Sequence, residues 1–322
     1  MNQITLSGLA NFSSAVPWGL WVALYIWLVG ISAGGFFLAA VGNLAGNTQL
    51  KKITRLAAVL SLATLLPGLL SIQIDLGHIE RFYKLFTSPQ LFSVMAWMAW
   101  LYTLYFLILA ASFRWIGKDI PRPFLFMAAI FSLAVIVVEG LLFAMPPGRH
   151  WHSPMFIIHF LSCSLVSGIA ALMFLSGILW AKEDRKGLLG GLSKIALPLI
   201  IVNLIVELVA MSSSGTGGIN SVLVLSGIIA VVFLLTRNIF AIPAAGVIEL
   251  AAVFLSKYQS LISAQLVEPF RGFGRAYIEP RLVFDYKPSG FEWLVTVLII
   301  LASAALFYIL HRISSLIIGR AK

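Results

Sequence analysis

Trp18-Gly-Leu-Trp-Val-Ala-Leu-Tyr-Ile-Trp-Leu-Val-Gly-Ile-Ser-Ala-Gly-Gly-Phe-Phe-Leu-Ala-Ala-Val-Gly-Asn-Leu44 contains no charged side chain. Wound as an α-helix at about 1.5 Å per residue, it exceeds the ~30 Å hydrocarbon core of a bilayer. Similar runs cover residues 53–74, 91–113, 124–145, 155–181, 192–211, 219–235 and 291–310. A ninth, 239–255, is shorter and contains Pro243 and Glu249. The runs do not alternate as the ten-residue strands of a barrel do. With 60% hydrophobic and 11% charged residues among 322, the chain has too little polar surface to coat a soluble globule. The mean hydropathy of +1.00 agrees. The reading is an all-α integral membrane protein, a bundle of about nine transmembrane helices.

The formal net charge of +10 does not point to nucleic acid, because the basic residues lie between apolar runs and form no polybasic stripe. They orient the chain instead. Lys51, Lys52, Arg55, Arg114, Lys118, Arg122, Lys182, Arg185, Lys186 and Lys194 fall in alternate loops, ten against Arg81, Lys84 and Arg149 in the others. By the positive-inside rule the N-terminus and the loops near residues 75–81 and 146–152 face outward in a cytoplasmic (inner) membrane. No basic cluster precedes the first run, which is too long for a cleaved signal, so this helix is expected to stay. If 239–255 crosses, the stretch from Lys257 to Lys287 is outside; if not, it lies inside.

Gly30-Ile-Ser-Ala-Gly34 in the first helix and Ser164 with Gly168 in the fifth are small-xxx-small patterns that let backbones approach. The next helix in each half carries an acid towards its outer end, Asp75 and Glu207. This predicts two four-helix units, 17–145 and 154–255, within a core of 1–255. An amphipathic segment over 256–290 follows, with Arg271, Phe273, Arg275, Tyr277 and Arg281, and then a C-terminal helix and basic tail over 291–322.

One cysteine, Cys163, cannot ligate an iron–sulfur cluster, and reads most simply as a packing residue. Of five histidines only His159 lies within a span away from its ends, whereas a transmembrane dihaem site needs two axial pairs. Neither a P-loop nor a dinucleotide fingerprint is present, and no metal site is expected. The ionisable and polar groups at membrane depth or its outer edge are Asp75, His78, Glu80, Arg81, Glu139, His150, His152, Asn203, Glu207 and Glu249. Charges there are costly, so their default reading is pathway or site. Asp75 and Arg81 either meet as an ion pair beside a working carboxylate or merely clamp two helices. Trp151 reads as an interfacial anchor flanked by two histidines suited to proton transfer. Glu249 reads as a helix contact.

Together Pro17-Trp-Gly-Leu-Trp-Val-Ala-Leu-Tyr25, Gly30-Ile-Ser-Ala-Gly34, Asp75-Leu-Gly-His-Ile-Glu-Arg81, Ser88-Pro-Gln-Leu-Phe-Ser93, Glu139-Gly-Leu-Leu, Trp151-His-Ser-Pro154 and Leu165-Val-Ser-Gly168 resemble the NrfD/PsrC family of polysulfide reductase-like membrane subunits. Asp285-Tyr-Lys-Pro-Ser-Gly-Phe-Glu292 is similar to the longer, hydrogenase- and sulfite-reduction-associated members. The resemblance implies a subunit without haem or cluster that binds a quinone, menaquinone or ubiquinone, near the outer face. It also implies an iron–sulfur partner of the four-cluster, ferredoxin-like type and a separate catalytic oxidoreductase subunit, the anchor itself sitting among membrane lipid. Where many members carry a tyrosine, this chain has Glu139, and no histidine ends the first helix.

On this reading Asp75 accepts or releases the quinone proton, His78 or His152 bonds a carbonyl beside Trp151, and Arg81 steadies the acid. Glu139 and Glu207, with Asn203, carry protons inward. Two other readings stay open: an ion-coupled secondary transporter, and a passive tether without quinone chemistry. The terminal donor or acceptor and the direction of electron flow belong to the partners.

Overall fold

A computed structural model describes residues 18–76, 79–88, 90, 92–116, 118–145, 153–180, 182–213, 221–263, 265–266 and 286–321. Its helices are α1 Leu20–Leu44, α2 Thr48–Asp75, α3 Lys84–Thr87, α4 Val94–Ser112, α5 Arg122–Ala144, α6 Pro154–Leu179, α7 Lys182–Ser213, α8 Ser221–Leu235, α9 Ala241–Ser263 and α10 Gly290–Ala321. No strand occurs among the described residues. Eight helices, all but α3 and α8, are long and apolar enough to cross a membrane.

Two spans exchange rank relative to the sequence reading. Residues 219–235 read as a full span, but α8 has 15 residues, about 22 Å. The doubtful run 239–255 belongs to α9, which has 23 residues and continues to Ser263. Pro243 does not break α9 because it sits in the first turn, where its missing N–H has no intrahelical partner to lose. Lys257, which reads in the sequence as the edge of an extramembrane segment, is buried inside this helix.

α9 runs the length of the bundle. At one end a Cβ on Gly177, near the close of α6, would overlap Pro243. At the other the Gln265 side chain accepts from Trp18 N at 3.1 Å and donates to Trp18 O at 2.9 Å. The C-terminus of α9 therefore shares an end with the start of α1. α8 and α9 form a hairpin whose turn holds Arg237 at φ 52° and is capped by Asn238, which accepts from Phe240 N at 2.9 Å.

α1 is the axis of the bundle, packed against α2, α5, α6 and α9. The two small-residue patterns meet: a Cβ on Gly34 would overlap the carbonyl of Ser164, and one on Gly168 would overlap the backbone of Gly35. α1 and α2 are tied by a reciprocal pair, Ser32 Oγ to Ser61 O and Ser61 Oγ to Ser32 O, both 2.8 Å. By contrast α10 leaves Leu294, Val297, Leu298, Leu301 and Ile309 exposed, the apolar outer surface a bilayer would cover.

α10 begins with a capping box. Glu292 N donates to Ser289 Oγ at 3.2 Å and Ser289 N donates to Glu292 Oε2 at 2.7 Å. Tyr286 donates to Glu292 Oε1 at 2.7 Å and accepts from Leu20 N at 2.7 Å, fastening the start of α10 to the start of α1. Burial, followed by its bond to Glu292, raises the Tyr286 phenol above its ordinary range, so it stays a donor. Further along, Ser303 Oγ donates to Ala63 O at 2.9 Å, and Arg55 donates to Ser315 at 3.2 Å.

Candidate functional site: a buried polar layer

Three helices contribute to a first polar group. Glu139 on α5 is 0% exposed and accepts from the hydroxyl of Tyr102 on α4 at 2.9 Å. Tyr102 in turn meets the hydroxyl of Tyr25 on α1. The next residue, Gly140, lets α5 lie directly on α6: a Cβ there would be 2.9 Å from the Cα of Ile157. Glu139 Oε2 is buried and has no hydrogen-bond partner among the described residues.

A second group lies between α6, α7 and α9. His159 and Cys163 are four residues apart on α6, as are Asn203 and Glu207 on α7, so each pair shares a helix face. His159 Nε2 lies 3.0 Å from Glu207 Oε1 and 3.1 Å from Ser256 Oγ, and Ser256 also bonds Glu207 Oε1. The Cys163 thiol faces Glu207 Oε1 at 3.6 Å and Asn203 Oδ1 at 3.5 Å, while Ser162 donates to Asn203 Oδ1 at 2.8 Å. Cys163 is thus more than the packing residue the sequence suggests. Glu249, about two turns back along α9 from Ser256, is also buried, with Oε1 unpartnered among the described residues.

Lys257 lies between the two groups. It is 1% exposed, donates to Ile26 O on α1 at 2.7 Å and stands 4.7 Å from the centre of the Phe160 ring. Tyr25, Glu139, His159, Glu207 and Lys257 are each five or six residues from the helix end nearest Trp18, about 8–9 Å down the bundle. They form a layer rather than a scatter of substitutions. Trp18, Phe143, Phe160 and Phe156 form a chain of ring contacts from the bundle end to the layer, edge-to-face, stacked and tilted in turn, with centroids 5.2–5.3 Å apart.

His159, Cys163 and Glu207 place one ligand atom each within 4.8 Å of one another, enough for a metal ion by distance. The donor set favours a hydrogen-bonded cluster instead. Glu207 Oε1 is already met by His159, Ser256 and Cys163, and His159 Nδ1 has no partner among the described residues. A metal-bound imidazole normally donates that second nitrogen to a carbonyl or carboxylate.

Of the residues singled out from sequence, Glu139 and Glu207 lie in this layer, and Asn203 lies one turn deeper on α7, bonded by Ser162. Asp75 is half-buried where α2 ends, within electrostatic reach of Glu292. Arg81 is exposed on a 3-10 turn and pairs with Glu80 at 3.6 Å, so the anticipated Asp75–Arg81 pair is replaced by a contact between sequence neighbours. His78, His150, Trp151 and His152, and the basic residues Arg271 to Arg281, lie outside the described residues. Tyr25, Tyr102, His159, Ser256 and Lys257 join the site without standing out in the sequence. Only the spacing of His159 to Cys163 and of Asn203 to Glu207 hints at a shared face. An open cavity of about 530 Å³ lies at the opposite end, lined by Lys51, Lys52, Arg55, Lys118 and His311 among others, with Lys51 paired to Asp119 at 2.7 Å.

Membrane-length apolar helices that enclose carboxyl, imidazole, phenol and amine groups define a multi-pass integral membrane protein with an internal polar site. The chain belongs to the family described as Polysulphide reductase, NrfD, which it matches over residues 8–267. It is 25% identical to a selenate reductase subunit of Mesobacillus selenatarsenatis over 89% of this chain and 82% of that one. It is also 25% identical to the Hdr-like menaquinol oxidoreductase integral membrane subunit of Archaeoglobus fulgidus, over 98% and 88%. A putative dimethyl sulfoxide reductase membrane subunit of Halobacterium salinarum is 30% identical over 53% of this chain and 44% of that one. The chain is an NrfD-type integral membrane subunit.

Proposed function

We propose that this subunit exchanges electrons between the membrane quinone pool and an iron–sulfur partner of the four-cluster, ferredoxin-like type, while a further subunit performs the substrate chemistry. The observation that carries the reading is the layer of proton-bearing groups about 8–9 Å inside one end of the bundle. Quinone chemistry joins electrons to protons, and a buried carboxyl bonded by one phenol that is itself bonded to a second is a ready proton store. The likeness to a menaquinol oxidoreductase membrane subunit supports menaquinol as the quinone.

In this reading Asp75 exchanges the quinone proton at the rim, with His78, Arg81, Trp151 and His152 around the headgroup. Glu139, then Asn203 and Glu207, take protons deeper. In this reading the basic residues at the far end, Lys51, Lys52 and Arg55 among them, face the cytoplasm, and the layer lies nearer the outer face of the cytoplasmic membrane. Two measurements on the purified complex test this. Solvent extraction should recover bound quinone, and Asp75→Asn should abolish quinone-linked turnover while the complex stays assembled. Wild-type quinone rates in that variant remove Asp75 from the site. Ion-dependent uptake by the isolated chain, with no bound quinone, overturns the reading as a whole.

A further inference from the structure

Lys257 has no role in the function proposed above, yet the fold makes room for it. A Cβ on Gly30 would lie 2.9 Å from its Nζ, so the glycine opens the space the ammonium occupies, with Ser164 on the other flank. Its hydrogen-bond acceptor, the carbonyl of Ile26, belongs to α1 and carries no full charge. A buried ammonium calls for a counter-charge. The carboxyl within electrostatic reach is Glu139 on α5, and the Cys163 thiol of the second polar group lies within reach as well. Ser256, the preceding residue on α9, bonds Glu207 and His159. Two consecutive residues of one helix therefore serve both groups: Ser256 enters the His159–Glu207 cluster, and the Lys257 ammonium, bonded to the carbonyl next to Tyr25 and standing against the ring next to His159, has Glu139 within electrostatic reach. Glu139 keeps one buried oxygen, Oε2, unengaged by any described residue, and Ser164 Oγ is likewise unpartnered.

We propose that Lys257 joins the two buried groups as a proton-exchanging lysine, the counter-charge of Glu139 and the donor to the His159–Glu207 cluster. The inference rests on the reading of Glu139 and Glu207 as proton carriers. The Glu139 carboxylate, beside Tyr25 and Tyr102, takes up one proton and becomes a neutral acid. Lys257 thereby loses its counter-charge, gives up one N–H proton and becomes a neutral amine. The imidazole of His159 receives that proton and becomes imidazolium against the Glu207 carboxylate, with Cys163 and Ser256 alongside. Transfer of the Glu139 proton to the amine then restores the carboxylate–ammonium pair. One proton enters, one is passed on, and no electrons move. Lysine suits the role where arginine would not, because a buried amine exchanges its proton and a guanidinium stays charged.

The test uses the whole complex with Lys257→Met and Lys257→Arg. Quinone-linked turnover is compared with dye-linked turnover of the partner, and the infrared carboxyl band assigned by Glu139→Gln is followed through a pH titration. Both substitutions should lower quinone-linked turnover about a hundredfold, and Lys257→Met should displace the Glu139 titration. Wild-type turnover in Lys257→Arg means a fixed charge suffices and overturns the relay. A Glu139 titration unchanged in Lys257→Met overturns the coupling even if turnover falls. Should Lys257→Met fail to assemble, Gly30→Ala, which presses on the ammonium, carries the infrared test with the same two outcomes. If the wild-type complex shows no quinone turnover, the proposed function fails, while the titration still decides for or against Lys257.

Discussion

Tyr102 links the phenol of one helix to the carboxyl of another, donating to Glu139 at 2.9 Å and meeting Tyr25. Its replacement by phenylalanine would leave Glu139 buried with neither oxygen bonded to Tyr102. An unsatisfied buried acceptor costs about 1–3 kcal/mol, so thermal unfolding of Tyr102→Phe in detergent should show a loss of that order. A variant as stable as wild type would mean that Tyr25 takes over the bond. At this scale the sequence is partly legible. Glu139 and Glu207 stand out because an acid in an apolar run is costly. Tyr25 and Tyr102 do not, since tyrosine in such a run reads as packing until its hydroxyl is seen to face an acid. His159 and Lys257 escape notice for opposite reasons: a lone histidine in a span draws attention only as a haem ligand, and the lysine reads as the end of a span that continues through it to Ser263.

Among the elements, the most local prediction concerns α10. Ser289 and Glu292 satisfy each other's backbone N–H groups, and Glu292 also receives Tyr286. Glu292→Ala removes the box and the Tyr286 acceptor together. We expect a loss of about 1–2 kcal/mol, seen as faster amide exchange in the first turn of α10 while α1 to α9 keep their protection. Uniform loosening of the bundle would refute a local role. The motif is visible as Ser289-Gly-Phe-Glu292, since a capping box is written in consecutive residues. The crossing of α1 and α6 is visible in half: each small-residue pattern can be read, but not that Gly34 and Gly168 face one another's helices. The exchange of α8 and α9 is not visible. Hydropathy penalises Pro243 and Glu249 equally wherever they fall, whereas the fold places the proline in a first turn and the acid in the interior.

For the whole molecule, apolar length is enough to establish a helical membrane bundle, because crossing hydrocarbon leaves the backbone little alternative. Assembly of the layer is not legible, since it depends on which faces of α1, α4, α5, α6, α7 and α9 turn inward at one depth. That depth has an electrical meaning. The layer lies about 8–9 Å from the loop end, roughly a quarter of a ~30 Å hydrocarbon thickness. A proton moving between the loops and Glu139 would therefore cross about a quarter of the transmembrane field, near 0.6 kcal/mol per 100 mV. In proteoliposomes clamped by a potassium gradient, a potential positive at the loop end should raise protonation of Glu139 about threefold per 100 mV, read from its infrared band. A band indifferent to voltage would put Glu139 in electrical contact with the loop-side solution. A residue position along a helix is thus also a position along a voltage divider.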